Sequence, residues 1–149
     1  MNALLKQIDA EIAALGGKRS KSRTRVIEEF FRAERHVSVE DLVLASRRRN
    51  RAVGFATAYR TVKLLARLGY AKELDFGDGI TRYENNLLEH HDHLVCRKCG
   101  SVSEFREPRI ENLQEQVAEK HGFRSTMHRL DIYGFCRRCA AAGPEAQVP

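Results

Sequence analysis

Two kinds of metal-binding side chain occur close together in one short stretch of this 149-residue chain. Residues 90–93 read His-His-Asp-His, and imidazole and carboxylate groups suit zinc, iron, manganese or nickel. A C-x-x-C pair follows directly at Cys96 and Cys99, and its thiolates suit a tetrahedral zinc ion. A second C-x-x-C pair stands near the end of the chain, at Cys136 and Cys139. The four cysteines therefore predict a closed structural zinc site without an open position for catalysis.

The remaining ligands in this stretch separate into two groups if residues 90–96 form a β-strand. Side chains alternate between the two faces of a strand. His91 and His93 then share one face, whereas His90 and Asp92 share the other. One short strand can therefore contribute to two further metal sites and end at the cysteine site. Two redox-active C-x-x-C pairs are the alternative use of the cysteines, and we favour metal because we expect a cytoplasmic chain.

The excess positive charge is confined to the part of the chain that lacks cysteine. Residues 1–85 hold 17 Lys and Arg against 11 Asp and Glu, whereas residues 86–149 hold 9 of each, so the net charge of +6 lies in the first part. A basic half joined to a neutral, metal-binding half is typical of a nucleic-acid-binding protein that is controlled by a sensor. No stretch has the length of a membrane span, and the N-terminus lacks the pattern of a signal peptide, so we expect a cytoplasmic protein.

The first half contains the elements of a winged helix-turn-helix in the expected order. Helical periodicity predicts a helix over 3–15, and a basic run over 18–25 leads into a second helix. Ser38 and Asp41 form the capping box of a third helix, and residues 56–69 form a fourth, basic helix. A hairpin follows over 71–84, turning at Gly77, Asp78 and Gly79. Helices followed by a hairpin in this order predict a DNA-binding unit with a recognition helix and a wing.

The second half predicts a small α/β unit, so the fold class is α+β. We expect strands over 90–96, 101–105 and 124–135. The intervening helix runs from about Pro108 to Lys120, with one apolar face formed by Ile110, Leu113 and Val117. The resulting domains are residues 1–86 and residues 87–149, with a tail that is disordered from about 141. A core of this size is marginal by itself, and a structural metal would stabilise it.

Taken together, these features resemble the ferric uptake regulator (Fur) superfamily over nearly the whole chain. The resemblance is carried by residues 56–60, 90–100 and 120–123 and by the final cysteine pair. It implies a homodimeric, metal-responsive DNA-binding repressor with an N-terminal winged helix and a C-terminal α/β dimerisation domain. The usual signature of the family has Val where this chain has Ala58, a small change that is compatible with the helix.

The resemblance also implies three metal sites. The structural zinc would be held by Cys96, Cys99, Cys136 and Cys139. The regulatory metal, at the junction of the domains, would be held by His36, Glu84, His91, His93 and Glu104. A third family site, whose role varies among members, corresponds to His90, Asp92, Glu111 and His128.

The same resemblance assigns DNA contacts to the basic half. Tyr59 would pack on a thymine methyl group, and Arg60 would contact phosphate or a base in the major groove. Lys18 corresponds to a residue that reaches an A·T-rich minor groove. Arg23 and Lys63 would contact phosphates, which position a protein without reading sequence. The expected partner is therefore an A·T-rich inverted repeat in double-stranded DNA.

The regulatory metal stays open at this point between Fe2+, Mn2+ and Zn2+. Glutamate at both 84 and 104 resembles an iron sensor, because the peroxide-sensing branch tends to carry aspartate there. The zinc-uptake branch usually adds a cysteine to its sensing site, and every cysteine here belongs to the structural site. A hydrolytic metalloenzyme and a metal-trafficking protein are the alternatives from other classes. We expect no enzyme, since neither alternative explains the basic winged-helix half.

Overall fold

The computed structural model of the chain describes residues 1–33, 36–50 and 52–141. These residues form two compact units. The first unit ends at Leu88 and the second begins at Glu89, compared with an expected boundary between 86 and 87. The predicted disordered tail lies outside the described residues from 142 onward. Among the described helices, none is both long enough and apolar enough to cross a membrane.

Four helices and a hairpin pack around one apolar core in the first unit. The helices are α1 (Asn2–Ala14), α2 (Lys21–Arg32), α3 (Val39–Arg48) and α4 (Phe55–Arg67). The capping box that the sequence predicts is confirmed, because Asp41 N–H donates to Ser38 Oγ (3.1 Å) and Ser38 N–H donates to Asp41 Oδ2 (2.9 Å). The core consists of buried apolar side chains from all four helices and the hairpin, among them Ile8, Ile12, Val26, Ile27, Phe30, Leu42, Val62, Leu65 and Tyr83.

The amphipathic pattern of α4 determines which side of that helix reaches solvent. Ala58, Val62 and Leu65 are fully buried in the core. The basic residues of the helix lie on the opposite side, as a 3.6-residue period requires. The helix thus presents a polar, positively charged face, which is the arrangement expected of a recognition helix.

The predicted hairpin is confirmed and gains a third segment. Strands β1 (Ala71–Asp75) and β2 (Thr81–Asn85) pair antiparallel, and the turn between them uses positive φ angles at Gly77 (78°) and Gly79 (76°). Val37 forms an isolated antiparallel bridge to Tyr83 of β2, with backbone bonds of 3.0 and 2.8 Å in the two directions. The segment before α3 is therefore attached to the wing.

The second unit is built on a three-stranded sheet in the order β4-β3-β5. Strand β3 (Asp92–Cys96) lies in the centre and pairs antiparallel with β4 (Val102–Phe105) and parallel with β5 (Asp131–Gly134). The predicted strand 90–96 began two residues too early, and the predicted strand 124–135 began seven residues too early and ended one residue too late. A strand needs a partner for its backbone groups, and the pairing of β3 and β5 begins only at His93 opposite Asp131.

Helix α5 (Pro108–Lys120) has the predicted bounds, and most of its apolar face is exposed. Leu113 and Val117 are 60% and 51% exposed, and the helix buries no residue completely. The partly buried positions are Ile110, Glu111, Gln114 and Ala118. A short helix, α6 (Arg137–Ala141), follows β5 and was not predicted. The inward face of α5 is therefore partly polar, and its apolar stripe is exposed in the single chain.

We predict that Leu65→Ala destabilises the first unit by about 2–5 kcal/mol, because it opens a cavity in a fully buried part of the core. Hydrogen exchange of the α4 amides measures this loss separately from the second unit. Arg67→Ala, an exposed position of the same helix, is the control and should change stability by less than about 0.5 kcal/mol. Equal effects of the two substitutions would contradict the described packing.

Candidate metal centres and nucleic-acid interface

The four cysteines converge in the second unit. Their sulfur atoms all lie within 4.8 Å of one another, and Cys99 Sγ is 3.9 Å from Cys136 Sγ. Four thiolates around a zinc ion at 2.3 Å would be spaced by about 3.8 Å, so this arrangement fits a tetrahedral site. The parallel pairing of β3 and β5 explains the convergence, since it sets Cys96 opposite Gly134, two residues before Cys136.

Hydrogen bonds favour the thiolate at two of the four cysteines and the thiol at a third. The backbone N–H of Cys136 donates to Cys96 Sγ (3.4 Å) and lowers the pKa of Cys96. The Ser101 side chain, 3.2 Å from Cys99 Sγ, lowers the pKa of Cys99 to about 5. By contrast, hydrogen bonding with Cys136, together with burial, raises the pKa of Cys139 to about 12. Four sulfurs this close cannot all carry charge without a cation, which is what a zinc ion supplies.

A second cluster in the same unit is formed by two histidines and two carboxylates. Its atoms come from the start of β3, from α5 and from the segment before β5, and also lie within 4.8 Å of one another: His90, Asp92, Glu111 and His128. His128 Nε2 is 3.2 Å from Glu111 Oε2, and His90 Nε2 is 3.3 Å from Asp92 Oδ1. The structure therefore brings together all four residues of the third site that the resemblance implied.

Polar atoms of this cluster are close to one another but not hydrogen-bonded. Both oxygens of Asp92, which is fully buried, and the Nε2 atoms of His90 and His128 have no hydrogen-bond partner among the described residues. Contacts of 3.2–3.3 Å without hydrogen-bond geometry are expected when lone pairs point toward a common centre. Burying a carboxylate without a donor is costly, so the cluster fits a cation. Sequence reasoning overlooked Gln114, whose buried Oε1 is also unpartnered one helical turn from Glu111.

In the first unit, a buried His–Glu pair lies beside the wing. His36 Nε2 is 3.0 Å from Glu84 Oε2, and the two side chains are 6% and 7% exposed. The Val37–Tyr83 bridge explains their position, because its antiparallel register sets residue 36 opposite residue 84. Lys72 Nζ lies 3.4 Å from the other oxygen of Glu84. Two of the five residues assigned to the regulatory metal are thus neighbours within the DNA-binding unit.

The other three residues of that set lie together in the second unit. The rings of His91 and His93 meet edge to face with centroids 5.1 Å apart. Glu104 of β4 is the direct cross-strand partner of His93 and shares its sheet face. His93 Nδ1 also lies 2.9 Å from Asp131 Oδ1 on β5. Asp131 was missed by sequence reasoning, because only the strand register reveals that it is opposite His93.

The residues assigned to DNA contact lie on the exposed side of the first unit. Tyr59 is 45% exposed, and Arg60 and Lys63 are also exposed on α4. Lys18 is exposed in the segment before α2. Arg23 on α2 donates from Nη1 to the backbone oxygen of Lys18 (2.8 Å), so it holds this segment in place.

An acidic partner of the recognition helix was not predicted from the sequence. Lys63 Nζ lies 2.8 and 3.0 Å from the two carboxylate oxygens of Glu73 on β1. This hydrogen bond raises the pKa of Lys63. A DNA phosphate would have to compete with Glu73 for the lysine, so Glu73 weakens any contact that Lys63 makes.

Comparisons with known proteins agree with this arrangement. The profile of the Ferric uptake regulator family matches residues 14–133. The ferric uptake regulation protein of Rhizobium leguminosarum bv. viciae is 44% identical over 125 residues, which cover 83% of this chain and 88% of that protein.

Two solved structures extend the similarity to the fold. The structure of the ferric uptake regulator of Helicobacter pylori reveals three functional metal-binding sites. It superposes on this chain with a TM-score of 0.85 at 28% sequence identity, and the match covers 97% of this chain and 95% of the Helicobacter pylori chain. A zinc-bound manganese uptake regulator superposes with a TM-score of 0.69 at 40% sequence identity, and the match covers 89% of this chain and 98% of the regulator's chain. Both similarities include both units.

We predict that Asp92→Asn has opposite effects with and without metal. At pH 8, where histidine is ordinarily neutral, and without added Mn2+, removal of the buried charge should stabilise the second unit by roughly 1 kcal/mol or more. Both proteins carry His91→Ala, so that Mn2+ at the site assigned to the regulatory metal does not contribute. With Mn2+ at a hundredfold excess over Kd, the chain that keeps Asp92 should gain about 2.7 kcal/mol and the variant much less. Hydrogen exchange of the β3 amides gives both values. Glu115→Gln, an exposed acid of α5, is the control, and a variant that is destabilised without Mn2+ would contradict the assignment.

We predict that Glu73→Gln strengthens binding to DNA by roughly twofold to tenfold, because Lys63 is then available to a phosphate. The slope of log K against log salt should become steeper by about 0.9 for each protomer. Fluorescence anisotropy at several salt concentrations measures both quantities. Glu119→Gln removes an exposed acid from α5 and should leave the slope unchanged. If Glu73→Gln also leaves it unchanged, Lys63 does not contact phosphate.

Proposed function

This chain belongs to the Ferric uptake regulator family, and from that premise we propose that it is a cytoplasmic, homodimeric repressor whose DNA binding depends on a divalent metal held jointly by its two units. Family membership establishes the coarser function, that of a metal-responsive transcriptional regulator, and members of the family are not enzymes. The proposal concerns the metal, its ligands and the DNA. We propose iron as the first candidate for the regulatory metal and metal-homeostasis genes as the genes that the protein controls.

The observation that carries the proposal is the buried His36–Glu84 pair within the DNA-binding unit. The imidazole nitrogen and the carboxylate oxygen lie 3.0 Å apart. Both groups are typical ligands of iron and manganese. Glu84 belongs to β2 of the wing, and His36 is attached to the same strand through the neighbouring Val37. A ligand set built on the wing allows metal binding to act directly on the element that positions DNA contacts.

Neither unit by itself supplies a complete set of regulatory ligands. The first unit offers His36 and Glu84, and the second offers His91, His93 and Glu104. Divalent iron and manganese commonly take more ligands than either group provides. We therefore propose that one ion binds both groups. Such an ion would link the two units, and its differential contacts would favour the arrangement of units that is competent to bind DNA.

The other two clusters have separate roles in the proposal. The four cysteines hold zinc as a structural ion that stabilises the small second unit. The cluster of His90, Asp92, Glu111 and His128 holds an additional divalent ion, which joins α5 to the sheet. Neither cluster includes a residue of the DNA-binding unit, so both are suited to folding and assembly more than to switching.

The identity of the regulatory ion has two candidates that specific observations support. Iron is supported by the glutamates at 84 and 104 and by the matching ferric uptake regulation proteins. Manganese is supported by the 40% identity to a manganese uptake regulator across 89% of this chain. No cysteine is among the proposed regulatory ligands, which disfavours zinc at this site because zinc sites commonly include soft thiolates.

Family members form dimers, and the second unit exposes large apolar side chains that a partner chain would cover. Those of α5 and the region of β5 are Leu113, Val117, Ile132, Tyr133 and Phe135. Ile132 and Tyr133 are adjacent on β5 and point to opposite faces of the sheet, so one interface would cover only some of these side chains. A two-fold dimer would present two α4 helices to DNA, and their symmetry matches the half-sites of an inverted repeat.

We predict that Fe2+ or Mn2+ tightens binding of the zinc-loaded protein to an A·T-rich inverted repeat by tenfold or more, equivalent to about 1.4 kcal/mol of coupling. Anaerobic titration of each metal, with anisotropy of labelled DNA, measures this change. Because His91 is a proposed ligand, His91→Ala should remove the dependence on metal.

His121→Ala provides the matched control, since His121 is an exposed histidine at the end of α5 outside the three clusters. This variant should respond to metal like the native chain. If only Zn2+ tightens binding, the assignment of the regulatory metal is wrong. If no metal alters DNA affinity, the proposed switch is wrong.

A further inference from the structure

Asp131 makes a buried contact with one of the proposed regulatory ligands. Its Oδ1 atom lies 2.9 Å from Nδ1 of His93, and the two side chains are 11% and 4% exposed. The two residues are direct partners in the parallel pairing of β3 and β5, and the backbone N–H of His93 donates to Leu130 O (3.1 Å). Both the ring and the backbone of His93 are therefore held by the segment that forms β5.

This contact determines the protonation pattern of the imidazole ring. An ionised carboxylate only accepts hydrogen bonds, so Nδ1 of His93 must carry the proton that Asp131 accepts. In a neutral ring with a proton on Nδ1, the lone pair available for coordination is on Nε2. A carboxylate on the far side of a histidine also increases its basicity as a ligand.

The second oxygen of Asp131 is engaged as well. Arg129 Nη2 lies 2.5 Å from Asp131 Oδ2, so this oxygen accepts from the guanidinium group. With one oxygen on His93 and the other on Arg129, Asp131 is placed to act through the histidine and not as a ligand itself.

We propose that Asp131 is a positioning residue of the regulatory metal site, which fixes the tautomer of His93 so that Nε2 is the coordinating atom. The inference rests on the proposed function, because it takes His93 as a ligand of the regulatory ion. It adds a residue from β5 to a site whose proposed ligands in this unit come from β3, β4 and the segment before β3.

The test uses full-length, zinc-loaded protein with Mn2+ as the probe, and every variant carries Glu111→Gln to weaken the additional cluster. In this background, Asp131→Ala should reduce the affinity for Mn2+ by about 10- to 100-fold. Asp131→Asn retains an oxygen that accepts from Nδ1 and should recover most of the loss. Isothermal titration gives the affinities, and the zinc content and circular dichroism report on the fold.

The tautomer of His93 is a readout that a merely structural role would not change. In 15N-labelled protein without Mn2+, the imidazole resonances of His93 should show a proton on Nδ1 in the parent and in Asp131→Asn. Asp131→Ala should shift the population toward the Nε2-protonated form, which is the commoner one in water. Should Asp131→Ala fail to fold, Arg129→Gln tests the same series of contacts, from Arg129 through Asp131 to His93. This variant should lose less affinity for Mn2+ than Asp131→Ala would.

His93→Ala, measured in parallel, distinguishes failure of the role of Asp131 from failure of the proposed regulatory site. If His93→Ala abolishes Mn2+ binding while Asp131→Ala leaves affinity within twofold and the tautomer unchanged, the role of Asp131 is overturned and the proposed function stands. If His93→Ala leaves the affinity unchanged, the proposed regulatory site is wrong and the inference fails with it.

Discussion

The alternation of side chains along the central strand β3 is the constraint on which the second unit depends. Asp92 and His93 are adjacent in sequence and therefore point to opposite faces of the sheet. Both are buried, at 0% and 3% exposure. Buried ionisable groups need either hydrogen-bond partners or a counter-ion. Asp92 lies among two histidines and a second carboxylate, Glu111, without a hydrogen bond from any described residue to either oxygen, so this face fits a cation. On the other face, Asp131 accepts from His93.

Strand β5 supplies the partners that β3 cannot obtain from nearby sequence. The connection between these parallel strands consists of β4, which runs back along β3, and α5, which also brings Glu111 to the sheet. Along one short segment, His128 reaches the additional cluster, Asp131 reaches His93, and Cys136 reaches the cysteine cluster. The register of one strand pair thus sets the geometry of three ligand groups together.

The wing has a comparable role in the first unit. Lys72 and Glu73 are adjacent on β1; Lys72 lies near Glu84, whereas Glu73 binds Lys63 of the recognition helix. The bridge between Val37 and Tyr83 sets His36 opposite Glu84 on β2. Residues proposed to bind metal and residues proposed to bind DNA are therefore separated by a single strand.

The sequence by itself determined the features that depend on neighbours within a few residues. These include the order of helices and hairpin, the capping box at Ser38, the buried stripe of α4 and the pairing of cysteines in two C-x-x-C motifs, because helical and strand periodicity and cap chemistry are local. Tertiary structure decided where β5 begins, that Leu113 and Val117 face solvent, and that Glu73 and Asp131 contact functional side chains. These outcomes depend on strand register and on which surfaces find a packing partner, and local patterns contain neither.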